Sequence, residues 1–468
     1  MLEFTTDIVV LLVSTLLIAP AGFYKARFLE AGRWSAPLGF LLLSIYALLR
    51  LEDFFQRVLT FIASVECAIV SLYTAEYSKA KYSKSKSAST VLYTLNNIFG
   101  LLIVLFLASK NVVLFSAFFV LAGLVGFFLV AFDSLYNKSQ EAWRAAVKYL
   151  AASMVPSDVA VLALVGLSLS QNAVLSDLVS LRLEANTPLI LVILIGFLAK
   201  AAVAPLHFWI ADAHSVAPAP ASAILSGLMV KMGVYGAYVT LKVFETPHLL
   251  LTATAILATM STIYGGVQAL LQDDMKRLLA YSTMSNTSAM VLLLVLGELV
   301  SWVPVEAVTV FVIAHSLFKT SLFLDSGFVE LAFGSRRVSE VRGVAEFSLK
   351  ETLATSLSLL SLIGVPPTLG FLYKMLTFSF ISESAKYSGA ASLVLFTLAL
   401  KTALSAGYAL KYIIPHLGSH LTKEAGASLE LDEALKKEVL KNMTRYVLLL
   451  SLLNVLAAIP ILLLLYLD

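Results

Sequence analysis

Apolar windows bounded by charged or turn-forming residues recur from one end of the 468-residue chain to the other. They outlast a buried strand and lack the alternation of a β-barrel, so each reads as a membrane-spanning helix. Fourteen such windows are centred near residues 15, 42, 65, 99, 121, 158, 196, 230, 260, 287, 314, 367, 399 and 456. At ~20 residues each they consume ~280 residues, which leaves short loops and no room for a separate soluble domain. The expected fold is an all-α polytopic membrane protein. The first window, in MLEFTTDIVVLL, has no basic region ahead of it, so its helix is expected to stay in the mature protein.

Composition supports this reading: 59% of residues are hydrophobic and 13% charged, against roughly 45–50% and 25% in an average soluble domain. The single cysteine, Cys67, cannot supply the several thiolates of an iron–sulfur cluster or a structural zinc site. Redox cofactors are therefore not expected in this chain. The net charge of +3 is small and mixed in sign, and no Gly-rich phosphate loop follows a plausible strand, which argues against nucleic-acid and nucleotide binding.

Sorting the 33 lysines and arginines by loop places 22 of them in loops 1, 3, 5, 9, 11 and 13 and six on the opposite side. The positive-inside rule then puts the odd loops in the cytoplasm and both termini outside the cell membrane. KYSKSKS reads as a solvated cytoplasmic loop, and LDEALKKEVLKN as an amphipathic helix on the surface or against a partner. Five lysines remain inside apolar segments: Lys200, Lys231, Lys319, Lys374 and Lys401. A lysine at the bilayer centre costs ~2.5–3.5 kcal/mol on insertion scales, so several are expected only around a polar interior. The alternative is that some snorkel to an interface or pair with a carboxylate.

Two of these lysines stand beside prolines that interrupt their helices, Lys200 before Pro205 and Lys374 after Pro366 and Pro367. Each interrupted helix is followed by one with an internal lysine, Lys231 and Lys401, at spacings of 31 and 27 residues. Broken helices in corresponding positions of two halves mark repeat-built transporters. The expected organisation is residues 1–89 as helices 1 to 3, 90–245 and 246–415 as two five-helix repeats, and 416–468 as a cytoplasmic loop and helix 14. Five is an odd number, so the second repeat enters the membrane inverted.

Three stretches carry a family resemblance: KAAVAPLHFWIADAHSVAPAPASAILSGLMVKMGVYG, LLQDDMKRLLAYSTMSN, and AHSLFKTSLFLDSG with GVPPTLGFLYK. They resemble the antiporter-like subunits shared by respiratory complex I, membrane-bound hydrogenases and Mrp-type cation/proton antiporters, over residues 90–412. The shorter members are closest, because the long amphipathic helix of some members is missing after the last window. The resemblance implies a mid-membrane proton path in which Lys200, Lys231, His315, Lys319 and Lys374 occupy matching positions. His207, Asp212 and His214 match the loop after the seventh helix, where capping of the break is the structural alternative. Asp273, Asp274, Lys276 and Arg277 fit a cytoplasmic anchor; His248, His416 and His420 match nothing and are expected to be structural.

The family's fifth-helix glutamate, which pairs with the seventh-helix lysine, falls on Val120. Asp158, beside Pro156, and Glu66 are the two carboxylates that could replace it, with Asp158 favoured and a cap on the Pro156 kink as its structural alternative. Ala202 stands where the family has proline, and Lys401 is supported by repeat symmetry alone. Burial favours a neutral amine and an approaching carboxylate favours a charged one, so an acid that moves can load and unload a lysine. The expected function is a proton- or Na⁺-translocating subunit of a redox-driven complex I-like or hydrogenase-like assembly. Its iron–sulfur clusters and electron donor, whether NADH, ferredoxin, deazaflavin or hydrogen, would belong to peripheral electron-transfer subunits, with other antiporter-like and small membrane subunits alongside. The alternatives are a subunit of an Mrp-type Na⁺/H⁺ antiporter and a structural subunit that no longer pumps.

Overall fold

The computed structural model describes residues 2–178, 180–300, 303–385, 389–418 and 433–460. Those residues form an all-helical polytopic membrane protein, with a lone β-bridge between Asp274 and Arg337. Ten helices are each long and apolar enough to cross a membrane, and Asp7–Ile18 with Ala21–Arg27 make a further pair bent by 50°. The other apolar windows hold shorter helices: Ser35–Arg50, Thr187–Lys200, Leu349–Ile363 and Leu369–Ala385. The window near residue 367 thus falls on the junction between two helices, because its apolar run continues through both prolines.

Polar side chains at the ends explain where these helices start. Asp53, Asn111, Ser139, Asn186 and Ser348 each accept a hydrogen bond from a backbone N–H three residues on. Gly334 and Gly364 end their helices in the left-handed conformation, φ 73° and 90°. The stretch expected to form an amphipathic helix on the surface or against a partner is helical from residue 433 and continues without a break as Glu433–Leu456.

Burial separates the helices into an inner and an outer set. The apolar windows of Ala219–Val243 and Val305–Phe333 are wholly enclosed by protein and that of Met275–Leu299 nearly so. Outer helices such as Gln140–Ser170 and His248–Leu271 expose large apolar residues, among them Leu162, Ile256 and Met260, as lipid-facing surfaces do. The inner helices are where Lys231, His315 and Lys319 lie, so the costly residues are inside protein rather than lipid.

Two five-residue π-helical turns, Leu150–Met154 and Leu225–Met229, interrupt otherwise α-helical spans. One precedes Pro156 and Asp158; the other precedes Lys231. Such turns shift the hydrogen-bond register and free carbonyls for side chains. Lys231 uses one of them, donating to Ser226 O at 2.7 Å.

Candidate functional site: a row of buried lysines and acids

Lys200 is the last residue of Thr187–Lys200 and is fully buried. Its Nζ donates to Tyr149 Oη at 3.2 Å and stands 5.2 Å from the ring centroids of both Phe119 and Tyr149. Tyr149 in turn donates to Gly123 O at 3.2 Å. The face of Val112–Val130 presented to Lys200 is therefore Phe119 and Gly123, with an aromatic ring rather than a carboxylate against the amine. Asp158 is electrostatically coupled to Lys200, yet its Oδ1 has no hydrogen-bond partner and no ion pair joins the two among the described residues.

The break after Lys200 runs through residues 201–209 before Ile210–Val216 begins. Ala202 sits at φ 58°, a conformation closed to proline, whose ring fixes φ near −65°. Thr287 Oγ1 donates to the freed Ala201 O at 2.7 Å, and Trp209 Nε1 to Ala199 O at 3.1 Å. Pro205 follows a cis peptide bond. His207 is half-buried and lies edge-on to Tyr264. His214 is wholly buried between Trp209 and Phe323, with neither ring nitrogen hydrogen-bonded.

Glu66 stands beside Lys231 rather than Lys200. Its Oε2 accepts from Ser316 Oγ at 2.9 Å and Thr320 Oγ1 at 3.1 Å, and its Oε1 is unpartnered. Lys231 Nζ and His315 Nδ1 are 2.7 Å apart, and His315 Nε2, on the other side of the ring, has no hydrogen-bond partner among the described residues. One turn on from His315, Lys319 Nζ donates to Leu279 O at 3.0 Å. A lysine, a histidine, a carboxylate and a second lysine thus meet where the two most enclosed helices cross.

The second break follows Gly364 and includes Pro366 and Pro367, joined by a cis peptide bond. Lys374 Nζ reaches back across it and donates to the terminal carbonyls Leu362 O, at 3.2 Å, and Ile363 O. Carbonyls at a helix C-terminus lack backbone partners and carry partial negative charge, so a cation is well placed there. Lys401 Nζ donates to Tyr373 Oη at 3.1 Å and lies 4.5 Å from the Phe311 ring centroid, while Phe311 and Tyr373 stack at 4.0 Å. Lys374 and Lys401 line one small cavity with those two rings.

This geometry has a counterpart in known proteins. Residues 109–400 match the model described as "NADH:quinone oxidoreductase/Mrp antiporter, TM". The chain belongs to this antiporter family. It is 33% identical over 197 residues to NADH-quinone oxidoreductase subunit N of Desulforudis audaxviator, covering 40% of this chain and 39% of that one. Formate hydrogenlyase subunit 3 of Escherichia coli is 30% identical over 269 residues, covering 54% and 44%. F(420)H(2) dehydrogenase subunit M of Methanosarcina mazei is 30% identical over 203 residues, covering 41% and 39%. The matches span less than half the length of these relatives. The Mrp complex from Dietzia sp. DQ12-45-1b shares the fold, with a TM-score of 0.76 at 22% identity over 96% of this chain and 50% of that one.

In this antiporter-family chain the residues after the ninth window form an ion network at one end of the bundle. Asp212 takes Arg277 at 2.7 Å and Lys148 at 2.5 Å; Asp274 takes Arg336 at 2.7 Å; Glu330 takes Lys81 at 2.5 Å and Arg336 at 3.0 Å. Asp273 accepts from Ser339 N and Oγ. Lys276 is buried and donates to Ala217 O at 2.8 Å. His248 contacts Thr252 at an exposed helix start, and His420 lies outside the described residues.

Among the buried ionisable residues not singled out from sequence as functional are Asp325, Glu351 and His416. Asp325 Oδ2 accepts from Tyr412 Oη at 2.8 Å and pairs with His416 Nε2 at 3.2 Å. The signal available was Asp325 following Lys319 by six residues on the same helix.

Proposed function

We propose that this chain is a proton-translocating antiporter-like subunit of a redox-driven complex I-like or hydrogenase-like assembly. In this reading Lys200, Lys231, His315, Lys319, Lys374 and Lys401 form a relay along the membrane, with Asp158 acting on Lys200 and Glu66 on Lys231. The single observation that carries it is the 2.7 Å contact between Lys231 Nζ and His315 Nδ1. An ammonium donates to the neutral imidazole nitrogen, and the imidazole can hand on a proton from its opposite, unpartnered nitrogen.

The relay fits a chain of fourteen spans, in which the short helices at each Pro-break count as parts of spans. Residues 1–89 lie outside two inverted five-helix repeats, 90–245 and 246–415, with the last helix in 416–468. Both termini then lie outside the cell and the Asp274–Arg336 network faces the cytoplasm. The chain holds no redox centre; iron–sulfur clusters belong to peripheral electron-transfer partners, and other antiporter-like and small membrane subunits flank it.

The test is proton uptake into vesicles containing the purified complex, followed with an entrapped pH-sensitive dye. Lys200→Ala and Lys374→Ala complexes should lose most of the uptake while still assembling. Uptake at the wild-type rate in both would end the relay reading. One observation favours a second reading, a structural subunit that no longer pumps: Phe119 and Gly123, rather than an acid, face Lys200. Identifying the proteins that copurify in mild detergent separates the redox-driven assembly from an Mrp-type antiporter, since only the former brings iron–sulfur subunits.

A further inference from the structure

Asp325 and Glu351 face each other on adjacent helices, both completely buried. Asp325 Oδ1 and both oxygens of Glu351 have no hydrogen-bond partner among the described residues. Asp325 is held through its other oxygen by Tyr412 and His416, whereas Glu351 has neither oxygen satisfied; such a buried carboxylate is costly, and two facing each other cannot both stay charged cheaply. Holding one or more protons is the arrangement that relieves this. Among the described residues no lysine or arginine pairs with the two acids: Tyr73, itself beside Tyr77 and Glu330, approaches from Phe54–Lys81, Tyr412 and His416 from the end of Gly389–His416, and Thr444 from Glu433–Leu456. Among the described residues no three such side chains are gathered around a point that a metal ion could occupy. The proton is the ligand this chemistry suits.

From Glu351 a polar face runs along Leu349–Ile363 through Thr355, whose hydroxyl has no hydrogen-bond partner among the described residues, and on to Ser358 and Ser361, all fully buried. Spacings of four, three and three keep these residues on one side of the helix over ~15 Å. Hydroxyls inside membrane helices ordinarily bond back to their own backbone one turn earlier. Ser358 and Ser361 instead bond across helices. Ser358 Oγ contacts Ser321 Oγ at 2.8 Å and Ser451 Oγ at 2.9 Å, and those two are 2.9 Å apart. Ser361 Oγ donates to Asn454 Oδ1 at 2.5 Å and accepts from Gly370 N at 3.1 Å. The next two residues, Leu362 and Ile363, supply the carbonyls that hold Lys374.

We propose that Asp325 and Glu351 form a proton-binding station that exchanges protons with Lys374 through the Thr355, Ser358 and Ser361 hydroxyl face. This rests on the relay reading above and adds an arm to it on the side of the Asp274–Arg336 network, whose Glu330 follows Asp325 by five residues on the same helix. A proton leaves the carboxyl pair, which becomes more negative by one. Each hydroxyl accepts one proton and releases another, and the neutral Lys374 amine becomes an ammonium.

The experiment uses the whole complex in vesicles with Glu351→Gln, Glu351→Asp and a Ser358→Ala/Ser361→Ala double variant, with Lys374→Ala as reference. Glu351→Gln should cut proton uptake about tenfold, Glu351→Asp should restore much of it, and the double variant, which removes no charge, should cut it severalfold. Infrared difference spectra across a pH step supply a readout independent of transport. A protonated-carboxyl stretch present in the wild type should vanish in Glu351→Gln and persist in the double serine variant. If Lys374→Ala abolishes uptake while the Glu351 and serine variants match the wild type, the station is overturned and the relay stands. An unchanged carboxyl band in Glu351→Gln overturns the station whatever happens to the relay.

Discussion

Tyr149 Oη lies 3.2 Å from Lys200 Nζ and is the only hydrogen-bond partner of that amine among the described residues. It is the polar group nearest the lysine in a chain whose Val112–Val130 helix carries Val120 at the family's glutamate position. The phenol donates its own proton to Gly123 O and accepts from Lys200, and because an ammonium and a neutral amine both carry N–H it holds Lys200 in either protonation state. Tyr149→Phe should destabilise the purified protein by about 1–2 kcal/mol, read by thermal denaturation in detergent. Proton uptake should fall as well, because the amine loses the group that positions it. Uptake at the wild-type rate in Tyr149→Phe would show that the positioning is dispensable.

The same helix offers a sharper test. A Cβ at position 123 would lie 3.5 Å from Lys200 Nζ, within ordinary contact. Gly123→Asp therefore places a carboxylate against the lysine, and a fixed, enclosed ion pair keeps the amine charged. Transport should drop about tenfold or more, equivalent to ~1.4 kcal/mol on the barrier. Val120→Glu, on a neighbouring face of the helix, should have a smaller effect. If Gly123→Asp raises transport, Lys200 lacked the acid it needs.

Much of this arrangement was legible in the chain. The five lysines stood out because each breaks an apolar run, and all five are buried on polar or aromatic partners. The two Pro-interruptions were visible for the same reason. Partners contributed by aromatic residues were not. Tyr149 and Tyr373 look like ordinary lipid-facing or core residues in a hydropathy profile, and only packing shows their hydroxyls on lysines. The choice between Asp158 and Glu66 was also beyond sequence, since residues 66 and 231 are brought together by helix packing that spacing does not encode. His416 matches no family position and is expected from sequence to be structural; the chain turns at Ile414–His416 and buries the ring against Asp325.

Glu66 holds Ser316 and Thr320 through one oxygen and leaves the other unpartnered next to Lys231. Glu66→Gln retains an acceptor for the two hydroxyls while removing the charge, whereas Glu66→Leu removes both. If the charge matters to Lys231, the two variants should lower proton uptake equally. Only Glu66→Leu should lose substantial stability, about 1–3 kcal/mol from the stranded hydroxyls. Full uptake in Glu66→Gln would confine Glu66 to a structural role.

Gly364 has φ 90°, and a Cβ there would lie 2.6 Å from Lys374 Cδ. Gly364→Ala therefore strains the backbone and pushes the lysine off the carbonyls of Leu362 and Ile363. The left-handed conformation costs a non-glycine residue about 1–2 kcal/mol. Thermal stability should fall by at least that much, and proton uptake should fall with it. A variant at Lys374 itself, Lys374→Met, should lose uptake with little loss of stability, which separates the lysine's role from the helix break.

Asp212 is held between Lys148 and Arg277 where the ion network meets solvent. Partial burial pushes its carboxyl upward, but the hydrogen bonds and charges of Lys148 and Arg277 outweigh that and hold it below the usual carboxylate range. A carboxyl depressed on folding contributes stability that is fully present above its unfolded value, about 3.9, and is lost as pH falls through the lower folded value. Lys148 is half exposed, so solvent screening limits the contribution to less than about 1 kcal/mol. Asp212→Asn should therefore melt below the wild type at pH 7 by a small margin that shrinks below pH ~4 and narrows in high salt. A margin independent of pH across that range would mean that Asp212 acts through packing alone. Because Asp212 sits on Ile210–Val216, just past the first break, loss of this anchor should also loosen the segment that positions Trp209 over Ala199 O. Faster hydrogen exchange at residues 201–209 in Asp212→Asn at pH 7, and no difference near pH 3, is the outcome that ties the ion network to the geometry of Lys200.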